Sequence, residues 1–209
     1  MRSMYTPNKT FLLIGLLVAA ALVAARLGFF MEASDRDMIL TPPDCYKIGE
    51  RITFKDFMNK YLPEIKALGV NIKLPDKVFG KYVPSDVWVC NGNVYIIAYT
   101  DGSKIETYFD APFAVEVAII PGLNEFHTPV NVRAGETVEL DMAYPAKAYR
   151  FNEFEVVVID TRLDKESLFD YMFTAYDLES NVRYNMGFKK GYGFTEKDIM
   201  EVLSSFKNL

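Results

Sequence analysis

The chain has 209 residues, of which 50% are hydrophobic and 14% aromatic, so it can bury a large core and is not intrinsically disordered. Its net charge is −5, but three of its 23 basic residues and none of its 28 acids precede Glu32. The remainder therefore carries a net charge of −8. That charge argues against nucleic acid or an anionic lipid surface as its partner.

The first element along the chain is an apolar run of 21 residues from Phe11 to Met31, interrupted only by Arg26. An α-helix of this length rises ~30 Å, which is enough to cross the hydrocarbon core of a bilayer. Arg2 and Lys9 precede the run and acids follow it, so the positive-inside rule places the N-terminus in the cytoplasm. We therefore predict a single-pass membrane protein with four segments: a cytoplasmic tail 1–9, an anchor 10–31, a linker 32–45 and an extracytoplasmic domain 46–209.

A cleaved signal peptide is the alternative interpretation of this run. Phe11–Ala25 is an apolar core of 15 residues, and the small residues at Ala19–Ala21 or Val23–Ala25 offer cleavage sites. Either interpretation exports the domain, which is anchored in the first case and secreted in the second. A lipoprotein anchor is not indicated, because the first cysteine of the chain is Cys45.

Both cysteines, Cys45 and Cys90, fall in the part of the chain that we expect to be exported. In an oxidising compartment they can form a disulfide, and two unrelated buried thiols are the alternative. No CxxC spacing occurs, so neither a redox motif nor a structural zinc site is indicated.

A helix is predicted over residues 54–68, after the proline-bearing linker. Thr53 and Asp56 have the spacing of a capping box, and apolar residues then recur at helical spacing. Pro63 kinks this helix or begins a second one, and Gly69 closes the segment.

A three-stranded antiparallel meander is predicted next, because the hydrophobic period changes to two at Asp86. Residues 86–90 and 93–99 flank Asn91-Gly92, which favours a two-residue hairpin turn. Asp101-Gly102 indicates a second turn, and the alternating residues 104–109 are predicted to be the third strand.

The rest of the chain is predicted to be mainly strands followed by a C-terminal helix. The predicted strands are 113–120, 130–133, 137–142, 147–151, 154–160, 170–177 and 182–188. Thr195 and Asp198 again have capping-box spacing, and apolar residues follow on one side of a helix over 195–206. The fold class is therefore predicted to be α+β: a mainly antiparallel sheet flanked by an N-terminal and a C-terminal helix, after the transmembrane helix.

The sequence contains no recognisable catalytic, metal-binding or cofactor-binding motif. His127 is the only histidine, so a cupredoxin copper site or a multi-histidine zinc site cannot be assembled. No G-x-S-x-G elbow or Walker A motif occurs, and the glycine-rich stretch 187–193 is interpreted as a plain loop. We predict no cofactor and no catalytic residue.

Clustered carboxylates are the remaining source of chemistry. The clusters are Asp35/Asp37, Glu136/Glu139/Asp141 and Glu153/Glu155. Acids that alternate along a strand most simply form its solvated face, so we expect the last two clusters to be exposed.

The order of elements resembles a family of extracytoplasmic domains found in membrane-anchored anti-sigma-type and sporulation-associated proteins. The resemblance rests on the anchor, the helix after it and two short segments. These are Ile72-Lys-Leu-Pro75, which leads into the sheet, and the C-terminal segment Thr-Glu-Lys-Asp-Ile-Met-Glu-Val-Leu-Ser-Ser-Phe at 195–206. It implies a shape related to the half-barrel lipoprotein carriers and a sensor or ligand-binding role without catalysis.

Together, these observations predict a membrane-anchored extracytoplasmic domain that binds a protein, lipid or peptide on the concave face of its sheet. A structural subunit of the cell envelope with a β-sandwich core is the first alternative. A hydrolase that uses the clustered carboxylates is the second.

Overall fold

The computed structural model describes residues 45–126, 130 and 132–209, all of which belong to one unit of the chain, Thr41–Leu209. The predicted tail, the anchor and nearly all of the linker lie outside the described residues. None of the helices in the described ranges combines the length and the hydrophobicity that a membrane crossing requires. The anchor at 10–31 therefore stays a prediction.

The described part of the chain contains four α-helices and eleven strands. Its helices are α1 (Cys45–Ile48), α2 (Phe54–Ala67), α3 (Leu123–Phe126) and α4 (Glu196–Ser204). Its strands are β1 (Glu50–Thr53), β2 (Lys73–Pro75), β3 (Val83–Val89), β4 (Val94–Thr100), β5 (Phe113–Ile119), β6 (Thr137–Leu140), β7 (Ala146–Phe151), β8 (Phe154–Asp160), β9 (Phe169–Asp177), β10 (Val182–Lys189) and β11 (Phe206–Asn208).

Nine of these strands form one antiparallel sheet in the order β1-β3-β4-β5-β10-β9-β8-β7-β6, and β2 pairs separately with β11. Strands β10 and β9 lie near the middle, whereas β1 and β6 each have one neighbour among the described strands. A mainly antiparallel sheet with a few helices confirms the predicted α+β class at this level.

Helix α2 begins where the capping pattern predicts. The Thr53 hydroxyl oxygen accepts a hydrogen bond from the Asp56 backbone N–H at 3.1 Å and donates to the Asp56 carboxylate at 2.7 Å. Pro63 lies inside the helix, so the predicted segment is one helix and not two. The helix ends at Ala67, one residue before the predicted end.

One face of the sheet, which we call the helix face, packs against α2 and α4 in the main hydrophobic core. Ile199, Val202 and Leu203 provide the apolar stripe of α4, and all three side chains are buried. Strand β11, which the sequence analysis missed, follows α4 directly and places Phe206 against the rings of Phe154 and Tyr184.

The predicted meander is partly wrong. Strands β3 and β4 do form a hairpin, but residues 91–93 make a three-residue loop because Cys90 pairs with Val94. Residues 104–109 are not a strand, and the third strand is β5. Tyr108–Asp110 is a 3₁₀ turn, because the Asp110 carboxylate accepts the Thr107 backbone N–H at 2.8 Å and Tyr108 packs on Trp88.

The prediction of a strand at 130–133 is also wrong, as far as these residues are described. Val132 and Arg133 lie outside any strand, and the Val130 backbone N–H donates to the Glu155 carboxylate at 3.2 Å. The Glu155 side chain, and not a neighbouring strand, therefore binds this backbone N–H group. Strand β6, predicted over 137–142, ends at Leu140.

Candidate functional site

Strand β6 at one edge of the sheet places a carboxylate beside an open groove. Glu139 pairs in register with Lys147 of β7, and Lys147 pairs with Val158 of β8. Because register partners project from the same side of a sheet, all three side chains lie on the helix face. Three of the four β6 residues are exposed, so this end of the sheet is open.

The groove has a volume of about 90 Å³ and lies between the sheet and the first residue of α4. Its lining combines three acids, one lysine, one tyrosine and three apolar residues. These are Glu139, Pro145, Ala146, Lys147, Val158, Asp160, Tyr171 and Glu196.

Two of the three acids in the groove have basic partners. Lys147 Nζ lies 2.5 Å from Glu196 Oε1. Arg162 donates to both carboxylate oxygens of Asp160, through Nε at 2.9 Å and Nη2 at 2.6 Å. These hydrogen bonds from Arg162 hold the pKa of Asp160 below its usual value, although partial burial opposes the shift.

Glu139 is the third acid and differs from the other two. No hydrogen bond or ion pair joins its carboxylate to any described residue, and the cross-strand lysine that faces it is held by Glu196 instead. The groove therefore contains one uncompensated negative charge next to an open strand. Such a charge favours a ligand with an ammonium or guanidinium group.

Two tyrosines lie in or near this groove. Tyr171 is buried, and the Arg162 guanidinium lies 4.9 Å from its ring centroid. Tyr149, two residues beyond Lys147 on the same strand, has a buried hydroxyl with no hydrogen-bond partner among the described residues. Burial, and then the nearby Glu196, raise the pKa of Tyr149.

Asp160 is not suited to donate a proton near neutral pH. A carboxylic acid that donates a proton near neutral pH needs a raised pKa. The pKa of Asp160 is shifted the opposite way by Arg162. No group of three or more His, Cys, Asp or Glu side chains in the described ranges has the arrangement of a metal site.

Of the residues singled out from the sequence, the structure brings the two cysteines together. Cys45 and Cys90 form a disulfide with their Cα atoms 5.3 Å apart, which ties α1 to the end of β3. His127 and the Asp35/Asp37 cluster lie outside the described residues. Of the Glu136/Glu139/Asp141 cluster, Glu139 alone lines the groove.

The expectation that the Glu153/Glu155 cluster is a solvated face is wrong for one of its members. Glu155 is buried, where it accepts the Val130 backbone N–H. Glu153 is exposed, as expected, and lies 2.8 Å from the Lys73 ammonium. Lys73 also binds the fully buried Asp177 at 2.8 Å, so the two carboxylates share one lysine.

A second polar cluster, on the face opposite to the helix face, was not predicted from the sequence. The Asn185 amide donates to the Glu116 carboxylate at 2.7 Å, and the Thr174 hydroxyl donates to Asn185 Oδ1 at 2.9 Å. Arg183 Nη2 lies 3.5 Å from the same Glu116. All four residues lie on the central strands, and the signal that could have indicated them is a set of polar residues within otherwise apolar strands.

Comparisons with known proteins yield no relative: no family model matches the chain, and no curated protein or solved structure is significantly similar to it. The function is therefore inferred from the groove and the disulfide.

Proposed function

We propose that this protein is a membrane-anchored, non-enzymatic binding module whose groove between β6 and α4 holds a cationic group of a ligand or partner. The observation that carries the proposal is the uncompensated Glu139 carboxylate in a groove whose other acids are paired. The resemblance to extracytoplasmic sensor domains agrees with such a role and is itself a proposal.

Export of the domain is part of this proposal. The apolar run at 11–31 supports it, as does the Cys45–Cys90 disulfide, because disulfides persist in oxidising compartments. We place the domain on the outer side of the membrane, or in the external medium if the run is cleaved. Intact-mass measurement on protein from its native membrane separates the anchored from the cleaved form.

Binding of a blocked lysine tests the groove directly. We expect Nα-acetyl-lysine methylamide to bind full-length protein in detergent micelles weakly, with a Kd in the millimolar range or above, because one partly exposed ion pair contributes little. The measurement is a ¹⁵N–¹H NMR titration that follows the amides of Lys147, Asp160 and Glu196. Glu139→Gln should weaken this binding, by up to about fivefold, because an exposed ion pair contributes at most about 1 kcal/mol.

The matched control is Glu136→Gln, which removes an exposed acid of the same sequence cluster outside the groove. We expect this variant to bind like the unmodified protein. Equal binding by Glu139→Gln and Glu136→Gln, or shifts scattered over the surface, would contradict the proposed site.

A structural role in the cell envelope is the second candidate. It is favoured by exposed apolar residues around the loop between β8 and β9: Leu163 is 89% exposed and Leu168 53%. Exposed apolar side chains in one region are typical of protein contact surfaces. A stable complex that Leu163→Ser disrupts, with no response to Glu139→Gln, would favour this alternative.

A further inference from the structure

The backbone of β6 offers hydrogen-bonding groups on the side away from β7. The Asp160 backbone N–H donates to the Pro145 carbonyl at 2.9 Å, so residue 145 directs its backbone groups toward β8. Successive residues of an antiparallel strand direct these groups to opposite neighbours. The backbone N–H and C=O groups of Ala146 and Ala148 therefore point toward β6, where these residues pair with Leu140 and Val138.

It follows that Thr137 and Glu139 direct their backbone N–H and C=O groups outward. These groups face no described strand, because β6 has β7 as its single described neighbour. An unpaired strand edge of this kind is a template for an added strand.

The charge of the groove specifies what such a strand must carry. A residue directly opposite Glu139 in an antiparallel pair has its Cα about 5.5 Å away and projects its side chain from the same face. Its side chain therefore enters the groove beside the uncompensated carboxylate. The two residues that flank it project from the other face, next to Val138 and Leu140.

We propose that the β6 edge binds an extended segment of a partner protein as an added antiparallel strand, with a Lys or Arg opposite Glu139 and an apolar residue on each side of it. This inference rests on the proposed function and names the class of ligand. The backbone pairing provides affinity, and the basic residue sets the register.

The lysine already in the groove does not repel the incoming basic residue strongly. Its ammonium is held 2.5 Å from Glu196 at the start of α4, which neutralises it locally. The neighbouring Arg162 is likewise paired with Asp160. The charge left for the incoming residue is that of Glu139.

The test uses a fluorescein-labelled peptide, Ser-Thr-Val-Lys-Val-Thr-Ser, and fluorescence anisotropy with full-length protein in detergent micelles. Thr137→Pro removes one outward N–H at the first position of the strand, where proline is tolerated. We expect it to weaken binding about tenfold, as loss of a backbone hydrogen bond and its alignment would. Thr137→Val, which keeps the N–H, is the matched control and should bind within about twofold of the unmodified protein.

A second pair of peptides tests the pairing without changing the protein. N-methylation of the central lysine blocks the N–H that faces Glu139, and we expect about tenfold weaker binding. N-methylation of the following valine blocks an N–H that points away from β6, and binding should be retained. A peptide with glutamate in place of lysine should bind the unmodified protein at least about threefold more weakly than the lysine peptide does. The Glu139→Gln variant should bind the two peptides with similar affinity.

Three outcomes would overturn the proposal. The first is equal binding of the two N-methylated peptides, and the second is equal binding by Thr137→Pro and Thr137→Val. The third is a dimer in sedimentation that Thr137→Pro dissociates, because a second copy would then occupy the edge.

If the blocked lysine binds the groove while the backbone variants have no effect, only the added strand is wrong. If the peptide binds without regard to Glu139, the proposed cation site is wrong.

Discussion

Lys73 is the counterion of Asp177, a fully buried carboxylate. Its ammonium lies 2.8 Å from Asp177, whose side chain is 0% exposed, and 2.8 Å from Glu153. Burial lowers the pKa of Lys73, but its hydrogen bonds to Asp177 and Glu153 outweigh that effect and the net shift is upward. Lys73 is therefore charged in the folded protein, and its removal would leave a buried carboxylate without its counterion.

We expect Lys73→Met to lower the free energy of unfolding by about 3 kcal/mol, because breaking one side of a buried pair leaves an uncompensated charge. Urea denaturation followed by circular dichroism measures the change. The control is Lys207→Met, which breaks an ion pair with Asp76 whose two side chains are each 66% exposed. That variant should change stability by less than about 1 kcal/mol, and equal effects would contradict the buried pair.

The Asp160–Arg162 pair makes a pH-dependent contribution at the residue scale. Because the folded-state pKa of Asp160 is lowered, its contribution is fully present above the unfolded pKa of about 3.9. It is lost as the pH falls through the folded-state pKa. Asp160→Asn should therefore be less stable than the unmodified protein at neutral pH, by less than about 1 kcal/mol since Arg162 is largely exposed.

Urea denaturation at several pH values from neutral to strongly acidic measures this difference. We expect the gap between the unmodified protein and Asp160→Asn to close as the pH falls below the folded-state pKa. Arg162→Met should reproduce both the loss and its pH dependence. A gap that widens on acidification would show that the sign of the pKa shift is wrong.

At the scale of elements, the disulfide fastens α1 to the end of β3. It closes a loop with a sequence separation of 45 residues, and Cys45 is buried in the smaller hydrophobic cluster, which also contains Trp88 and Tyr108. A cross-link of this span lowers the entropy of the unfolded chain.

The double variant Cys45→Ser/Cys90→Ser should lose about 3–4 kcal/mol of stability by the chain-entropy estimate. Urea denaturation without reductant measures the loss, and reduction of the unmodified protein should produce a similar one. A loss below about 1 kcal/mol in both experiments would mean that the link contributes little to the fold.

The elements also show where periodicity is sufficient and where it is not. The run Val156–Ile159 lacks alternation because β8 is buried on both faces there: successive residues point to opposite faces, and Val156, Val157 and Val158 are all buried. Residues 104–109 alternate like a strand but form a loop with a 3₁₀ turn. The Asp110 side chain, which caps Thr107, competes there with strand pairing.

At the scale of the whole molecule, the groove is a product of strand order. Glu139 belongs to a carboxylate cluster that is visible in the sequence, but Lys147, Asp160, Tyr171 and Glu196 join it only because β6, β7, β8 and β9 are neighbours and α4 begins above them. Which carboxylate lacks a partner depends on these long-range contacts. The pattern of charges along the chain does not contain that information.

The sequence by itself determined what depends on local periods and local caps: the α+β class, helix α2 with its Thr53 cap, helix α4 with its buried stripe, and most of the strands. Only the tertiary structure decided the order of those strands, the pairing of β2 with β11, and the meeting of Lys73 with Asp177 across 104 residues. The physical reason is that a helix or a strand is specified by neighbours within a few positions. A charge pair or a groove is specified by residues that the folded backbone brings together.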